Sequence, residues 1–183
     1  MLDSYGPWKV IIINLFLCTI WHCASFVLCV ARKEDSFCPD SFLYRAHRWE
    51  RNGKFYSDTL HINRWKDRLP QYNGKKGFSK SHLDSVSIEY LDRFIAETCR
   101  GEWNHGVNCL FSVVLMMINE PMTGGVMSVM VVAGNLPFVL IQRYNRFRLQ
   151  KLRTILVKKS RKNTAEKACA ETETVEDDLI SAK

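Results

Sequence analysis

Glu102 and His105 are the residues whose types and spacing are best suited to acid–base chemistry in this sequence. They are three positions apart, so on a helix they lie on adjoining turns of one face. Apolar residues occupy the same face in the preceding turns, at Ile88, Leu91 and Ile95. A carboxylate that accepts a hydrogen bond from an imidazole fixes its tautomer and raises its basicity. The spacing therefore predicts that His105 activates a hydroxyl group and that Glu102 orients it.

The position of this pair, at the start of an apolar region, supports a functional interpretation. An ionisable group at the centre of a bilayer costs roughly 2.5–3.5 kcal/mol, and such groups are usually retained for function together with a partner. A second interpretation remains open, because a polar pair that ends one helix and begins the next at the interface would have the same spacing. Ser81 and Asp84 resemble a capping pair, which predicts that the helix carrying Glu102 begins there and runs to about Asn104.

A group of basic and polar residues follows the last apolar run, in the stretch IQRYNRFRL (141–149). A topology signal needs only positive charge, whereas this stretch also contains amides and a phenol that add hydrogen-bond donors and acceptors. Guanidinium groups bind phosphate through paired hydrogen bonds and stabilise developing oxyanions. We therefore predict a surface that binds an anionic part of a substrate. Its residues are Arg100, Gln142, Arg143, Tyr144, Asn145 and Arg146.

The first apolar segment, 10–31, is long enough to cross a membrane. Its 22 residues would form a helix of ~33 Å, against a hydrocarbon core of ~30 Å. We predict an N-terminal transmembrane helix over 8–31. A cleaved signal peptide is the alternative, with Cys29-Val30-Ala31 as a small-residue cleavage site, but the long apolar segment and the single preceding Lys9 favour a retained anchor.

A second apolar region, 106–141, is interrupted by a stretch typical of a turn, Asn119 to Gly125. The second limb, 126–141, has only 16 residues, or ~24 Å of helix, and Pro137 is expected to kink it. We predict a transmembrane helical hairpin over 105–141, with a re-entrant loop as the alternative. The basic residues that follow predict a juxtamembrane helix over 142–162, and the acidic stretch 163–183 is typical of a disordered tail.

The distribution of charge predicts an orientation in the membrane. The chain has 26 Lys and Arg against 19 Asp and Glu, and a formal charge of +7. Positive segments prefer the cytoplasm, which places 32–104 and 142–162 on that side, the N-terminus outside and the C-terminus inside. The segment 32–104 alternates aromatic and basic residues, as expected of a surface at the lipid headgroups. Its interfacial residues are Trp49, Lys54, Trp65 and Lys66. Nucleic acid is a less suitable partner, because a protein embedded in a bilayer meets lipid headgroups first.

Cysteine usage gives no indication of a cofactor. The seven cysteines are scattered, with no C-x-x-C pair, so we predict neither a metal site nor a redox motif and assign the thiols to core packing. Taken together, these patterns predict a mainly α small integral membrane protein, in which an N-terminal transmembrane helix and a C-terminal helical hairpin flank a cytoplasmic interfacial segment.

Four stretches in this order resemble the glycosyl-4,4'-diaponeurosporenoate acyltransferases of staphyloxanthin-type carotenoid biosynthesis. They are GKFY (53–56), INRWKDRLP (62–70), ETCRGEWNH (97–105) and NLPFVLIQRYNRFRL (135–149), with GFSKSHL (77–83) as a weaker fifth. The sequence departs from the usual pattern of that family at three positions. Gly101 replaces an alanine, and Gly106 replaces a tryptophan. Phe147 follows Asn145-Arg146, where the family often has a proline.

The resemblance implies a membrane enzyme that transfers a fatty acyl group to a sugar hydroxyl of a glycosyl carotenoid. No G-x-S-x-G or H-x-x-x-x-D motif is present, so we expect direct attack by the hydroxyl rather than a covalent serine intermediate. His105 would then be the base, Glu102 its orienting group, and Arg100 with Arg143 and Arg146 the anion-binding residues. The expected partners are membrane lipids, a lipidic glycosyl acceptor and a fatty acyl donor.

Two other functions are compatible with the same patterns. A small non-catalytic membrane scaffold would use its basic patches to bind lipid headgroups, and it would tolerate replacement of Glu102 and His105. An acyltransferase for another membrane glycolipid or lysolipid would be active in cells that make no carotenoid.

Overall fold

The computed structural model describes the backbone of residues 6–69 and 87–181 and the side chains up to Ala165. Within these residues the chain is α-helical and contains no strand, which confirms the predicted mainly α class. The α-helices are α1 (Pro7–Ala31), α2 (Ile62–Trp65), α3 (Ile88–Ile118) and α4 (Pro121–Ser181). Two of them are long and apolar enough to cross a membrane, namely α1 and the Pro121–Ala165 part of α4.

The first helix, α1, has nearly the bounds expected from its apolar run. Pro7 occupies the first turn, where its missing N–H costs nothing, and the helix ends where Arg32 becomes extended. Most of its large apolar side chains are exposed. The buried residues of α1 follow helical spacing and mark the face that packs on α3; they are Val10, Asn14, Ser25 and Cys29.

The helix that carries Glu102 and His105 does not end at about Asn104, as predicted, but continues to Ile118. Gly101 and Gly106 lie inside it, and no proline interrupts it. Its first residue is Ile88, capped by Ser87, whose hydroxyl accepts a hydrogen bond from the Tyr90 N–H at 3.1 Å. The predicted capping pair, Ser81 and Asp84, and the stretch 77–83 lie outside the described residues.

The turn between α3 and α4 is shorter than the sequence indicates. It comprises Asn119 and Glu120 rather than the whole of 119–125, because α4 already begins at Pro121. Gly124 is a packing residue and not a turn residue, since a Cβ atom there would lie 3.1 Å from the Leu115 carbonyl oxygen. The absence of a side chain lets the start of α4 approach α3 closely.

The last helix, α4, differs from the three units predicted for this part of the chain. It runs for 61 residues with Pro137 inside it, and it combines the second limb of the hairpin, the basic segment and the acidic segment. The backbone of 163–181 is helical, where a disordered tail was expected. This stretch has three alanines and four glutamates, which favour helix, and it contains no Gly or Pro to interrupt one.

The three long helices lie side by side, with α3 antiparallel to both α1 and α4. Hydrogen bonds between side chains join α1 to α3 along its length: Asn14 to Asn119 at 2.8 Å, and Ser25 to Asn108 at 2.7 Å. Polar contacts of this kind hold helices together where lipid removes the hydrophobic drive for association. The outward faces carry exposed apolar residues such as Leu110 and Met117, as expected of helices that face lipid.

The segment between α1 and α3 packs against the helix ends and does not form a separate unit. Short helical turns make up its described part, including Glu34–Phe37, Arg48–Gly53 and Phe55–Thr59. Phe37 and Tyr44 pack with Cys29 and Cys99, and a second cluster joins Tyr56 and Ile62 to Ile141 and Tyr144. Residues 88–104, predicted to belong to this segment, are part of α3.

Candidate active site

His105 lies on α3 where it faces α4, and it is half-buried. Its Nδ1 atom is 3.1 Å from Oδ1 of Asn135, and its ring stacks on Phe138, with the ring centroids 4.8 Å apart. Among the described residues nothing hydrogen-bonds to its Nε2 atom. An imidazole held at Nδ1 with a free Nε2 has the arrangement that a general base requires.

Asn135 connects His105 to the first helix. Its Nδ2 atom lies 3.0 Å from the Val131 carbonyl oxygen and 3.4 Å from Nε2 of His22. The other ring nitrogen of His22, Nδ1, is 2.8 Å from the Cys18 carbonyl oxygen. A chain of hydrogen-bonding groups therefore crosses the bundle from α3 through α4 to α1.

Glu102 is not the partner of His105, which corrects the pairing predicted from their spacing. Its Oε1 atom accepts a hydrogen bond from Nη1 of Arg143 at 2.7 Å. Its Oε2 atom lies 2.5 Å from Nη2 of Arg146, in a close ion pair whose N–H is not aligned on the oxygen. Because α3 and α4 are antiparallel neighbours, these arginines reach Glu102 across the helix interface, and its carboxylate is occupied by them.

Arg143 has no free donor for a ligand. Its Nε atom donates to Oε1 of Glu50, and its Nη2 atom donates to Oε2 of Glu50 at 3.1 Å. Besides its bond to Glu102, it donates to the carbonyl oxygens of Leu43 at 3.1 Å and Arg45 at 3.0 Å. All five N–H groups of a guanidinium are thus used.

Arg146 is also internal, with only 2% of its surface exposed. Its Nη1 atom is 3.6 Å from the Cys99 sulfur, and its guanidinium lies over the Tyr44 ring at 5.6 Å. Together Arg143, Arg146, Glu50 and Glu102 form a buried network of two positive and two negative groups. The two arginines predicted to bind an anionic substrate are therefore neutralised within the protein, and we correct that assignment.

Glu50 is the member of this network that lies in the segment between α1 and α3. It is fully buried, and it accepts hydrogen bonds from the Tyr56 hydroxyl and from the His47 N–H, each at 2.6 Å. Burial raises the pKa of Glu50, but the hydrogen bonds from Arg143, Tyr56 and His47 outweigh it, so the pKa lies below its usual value. The pKa of Tyr56 is raised by burial and by Glu50, which keeps its hydroxyl as a donor.

The remaining residues of the predicted anion-binding surface do not converge with His105. Arg100 makes an ion pair with Glu97 at 2.6 Å and lies over the Phe37 ring. Gln142 lies against Gly101, where a Cβ atom would come 2.9 Å from its side chain. Tyr144 is buried in an apolar cluster, and Asn145 is half-buried on the same helix.

The four residues predicted to be interfacial divide into exposed and packed ones. Trp49 is 55% exposed, and Lys54 is also exposed. Trp65 is half-buried and donates to the Leu60 carbonyl oxygen at 2.9 Å, while Lys66 forms an ion pair with Asp67 at 2.5 Å. Phe42 and Leu43, which the sequence did not single out, are exposed in the same segment.

Sequence reasoning missed four residues of this site: His22, Glu50, Tyr56 and Asn135. Asn135 had a usable signal, because an amide two positions before Pro137 in an apolar run needs a buried partner. Glu50 had none, because its partner Arg143 is 93 positions away in the chain. Among the described residues, no group of three or more His, Cys, Asp or Glu side chains is close enough to hold a metal ion.

The fold and this site define a helical membrane protein in which a buried asparagine holds one ring nitrogen of a histidine and the other ring nitrogen is free. The sequence profile of the glycosyl-4,4'-diaponeurosporenoate acyltransferases matches residues 39–155, more than half of the chain. The protein therefore belongs to that family and is an acyltransferase.

Individual relatives give the same result at low identity. The chain is 24% identical over 123 residues to the glycosyl-4,4'-diaponeurosporenoate acyltransferase of Staphylococcus aureus strain MRSA252. The aligned region covers 66% of this chain and 74% of the relative. For the enzyme of strain Newman the identity is 25% over 124 residues, with the same coverage. No solved structure shows significant similarity to this chain.

Proposed function

We propose that this protein transfers a fatty acyl group to a sugar hydroxyl of a glycosyl carotenoid in the membrane, as the name of its relatives describes for them. The observation that carries the proposal is His105, which has a free Nε2 atom inside a bundle with two candidate membrane helices. A base in this position suits an acceptor whose long apolar part lies in lipid. The exposed apolar outer surface of α1, α3 and α4 suits contact between the bundle and such a molecule in lipid.

In this mechanism Nε2 of His105 removes the proton from the sugar hydroxyl. The hydroxyl oxygen then attacks the carbonyl carbon of the acyl donor and forms the new C–O bond of the ester. The bond between the acyl carbon and the donor's leaving group breaks, and the imidazolium returns its proton to that leaving group. Glu102 takes no part in the proton transfer, because Arg143 and Arg146 occupy its carboxylate.

In the orientation that we propose, the N-terminus lies outside the cell, and the segment between α1 and α3 lies at the cytoplasmic surface of the membrane. The excess of positive residues in that segment and at the end of the second candidate span supports it. Exposed Phe42, Leu43 and Trp49, beside exposed Arg45 and Arg48, suit contact with anionic headgroups at the membrane interface. Arg45 also lies over the Phe42 ring at 4.9 Å, so the charge stays close to the apolar surface.

Lipid extracts from cells that make the glycosyl carotenoid test the proposal by mass spectrometry, with and without the protein. We expect an acylated product with the intact protein and its loss with His105→Gln. His61→Asn is the matched control, since His61 is exposed and lies outside the helical bundle. An acylated glycolipid that appears in cells lacking carotenoids would overturn the acceptor, and full activity of purified His105→Gln would overturn the base.

A further inference from the structure

We infer that Asn135 is a positioning residue for His105, and that His22 in turn helps to hold Asn135. The inference rests on the proposed function, in which His105 is the base, and it replaces the orienting role that its spacing suggested for Glu102. Three helices contribute one residue each, so the orientation of the imidazole depends on how the bundle is assembled.

The direction of each hydrogen bond between His105, Asn135 and His22 follows from two backbone carbonyl groups, which can only accept. The Val131 carbonyl oxygen lies 3.0 Å from one end of the Asn135 amide, so that end is the nitrogen, Nδ2. The oxygen, Oδ1, must then face His105, and at 3.1 Å it accepts the proton carried by Nδ1. The neutral imidazole has one proton, so Nε2 keeps its lone pair and can act as the base.

The same reasoning holds at the other end of the chain. The Cys18 carbonyl oxygen accepts from Nδ1 of His22 at 2.8 Å, so Nε2 of His22 carries the lone pair. That lone pair faces Nδ2 of Asn135 at 3.4 Å, where the amide has a second N–H to donate. These assignments are mutually consistent, because every donor along the series from His105 to His22 faces an acceptor.

An amide is suited to this role inside a membrane. It selects one tautomer as a carboxylate would, but it adds no charge, whereas a buried carboxylate without a partner destabilises the protein. Phe138 restricts the ring further by stacking on its face at an interplanar angle of 13°. Asn135 and Phe138 on α4, which contact His105, carry no charge, while His22 on α1, which contacts Asn135, is titratable. Glu102, one turn earlier on α3, is neutralised by Arg143 and Arg146.

Nitrogen NMR of the full-length protein in detergent, labelled at histidine, reads the tautomer directly, and the His105→Gln spectrum assigns the signal. We expect His105 to carry its proton on Nδ1 in the unsubstituted protein and to become a mixture of tautomers in Asn135→Leu. A proton on Nε2 in the unsubstituted protein would overturn the inference, as would an unchanged tautomer in Asn135→Leu. Neither result depends on turnover, so the inference can fail while His105 remains the base.

Activity measurements give a second test. Asn135→Leu should lower kcat about 10- to 100-fold with little change in KM, and Asn135→Asp should move the acidic limb of the pH–rate profile to higher pH. The sign follows because a carboxylate stabilises the imidazolium, which must lose its proton before it can act as a base. An unshifted limb in Asn135→Asp would overturn the inference.

Asn108→Leu is the matched control for both tests. Asn108 is also a buried amide between helices, where it accepts from the Ser25 hydroxyl, but among the described residues no hydrogen bond joins its side chain to His105. Its replacement should lower stability and leave the tautomer and the pH–rate profile unchanged. If Asn108→Leu changed the tautomer as Asn135→Leu does, general loosening of the bundle would explain the effect, and the positioning role would be overturned.

Discussion

Arg143 and Glu50 are 93 positions apart in the chain, yet Arg143 donates hydrogen bonds to both oxygens of the Glu50 carboxylate. The contact joins α4 to the segment between α1 and α3, and Glu102 on α3 completes the junction through its own bond to Arg143. Three parts of the chain therefore meet on one guanidinium, at the end of the bundle next to the site of His105. The segment over the bundle is held by charge pairs and by the small apolar clusters beside them.

Arg143→Met should lower the free energy of unfolding by about 3–5 kcal/mol, because it leaves buried carboxylates without their partner. Thermal unfolding in detergent, followed by circular dichroism, measures the change. Arg148→Met is the matched control from the same stretch of sequence, since Arg148 is exposed and contacts only the Tyr144 ring in the described structure. Adding Glu50→Gln to Arg143→Met should restore part of the loss. If Arg143→Met is no less stable than Arg148→Met, the network does not stabilise the fold.

The pKa of Glu50 predicts how stability depends on pH. Since its pKa is lower in the folded protein than in the unfolded chain, its contribution is present above the ordinary pKa of a glutamate. That contribution is lost as the pH falls through the lowered value. We expect the melting temperature of the protein to fall from pH 7 towards acid more steeply than that of Glu50→Gln, which lacks the carboxylate. Parallel curves for the two proteins would contradict the assignment.

The sequence predicts the helical class and the bounds of α1 well, because both depend on long apolar runs that are read locally. It also identifies Glu102 and His105 as polar residues on the inward face of a helix, and Arg143 and Arg146 as residues with a role beyond that of a topology signal. What it does not predict is how they pair. Spacing along one helix joins Glu102 to His105, whereas the structure joins each of them to α4, whose register against α3 no local pattern specifies.

Glycines give a second example of this limit. Gly124 and Gly125 have the composition of a turn, but Gly124 packs against the backbone of α3 inside a helix. A glycine required for close approach and a glycine required for a turn have the same letter in the sequence. Only the position of α3 distinguishes them, and that position depends on residues such as Asn119 and Leu115, which pack on the neighbouring helices.

Two glycine-to-alanine substitutions should have different effects on stability. At Gly53, φ is +86° and a new Cβ would lie 2.8 Å from the Cβ of Phe147, so Gly53→Ala should destabilise the protein by more than ~1 kcal/mol. At Gly101, the nearest atom is the end of the flexible Gln142 side chain, which can move. Gly101→Ala should therefore be close to neutral, since alanine gains up to ~1 kcal/mol of helix propensity over glycine. Melting temperatures that rank the two variants in the opposite order would contradict these contacts.

Asn14 and Asn119 exchange two hydrogen bonds of 2.8 Å at the far end of the bundle, and both are buried. Each amide also donates to a carbonyl oxygen four residues earlier in its own helix, at 2.9 Å. Asn14→Leu should cost about 1–3 kcal/mol, because it leaves part of the Asn119 amide buried and unpaired. Asn119→Leu should cost a similar amount by the same reasoning.

The double variant Asn14→Leu/Asn119→Leu should lose less stability than the sum of the two single variants, since it leaves no amide unpaired at this contact. Thermal unfolding of the four proteins in detergent gives the coupling directly. Thr19→Val provides the control on α1, because the Thr19 hydroxyl is exposed and bonds only to its own helix. Simple additivity of the two asparagine substitutions would mean that α1 and α3 are held at this level by shape alone. The burial of Asn14, the most buried polar residue of α1, would then have to be explained by something other than its contact with the turn.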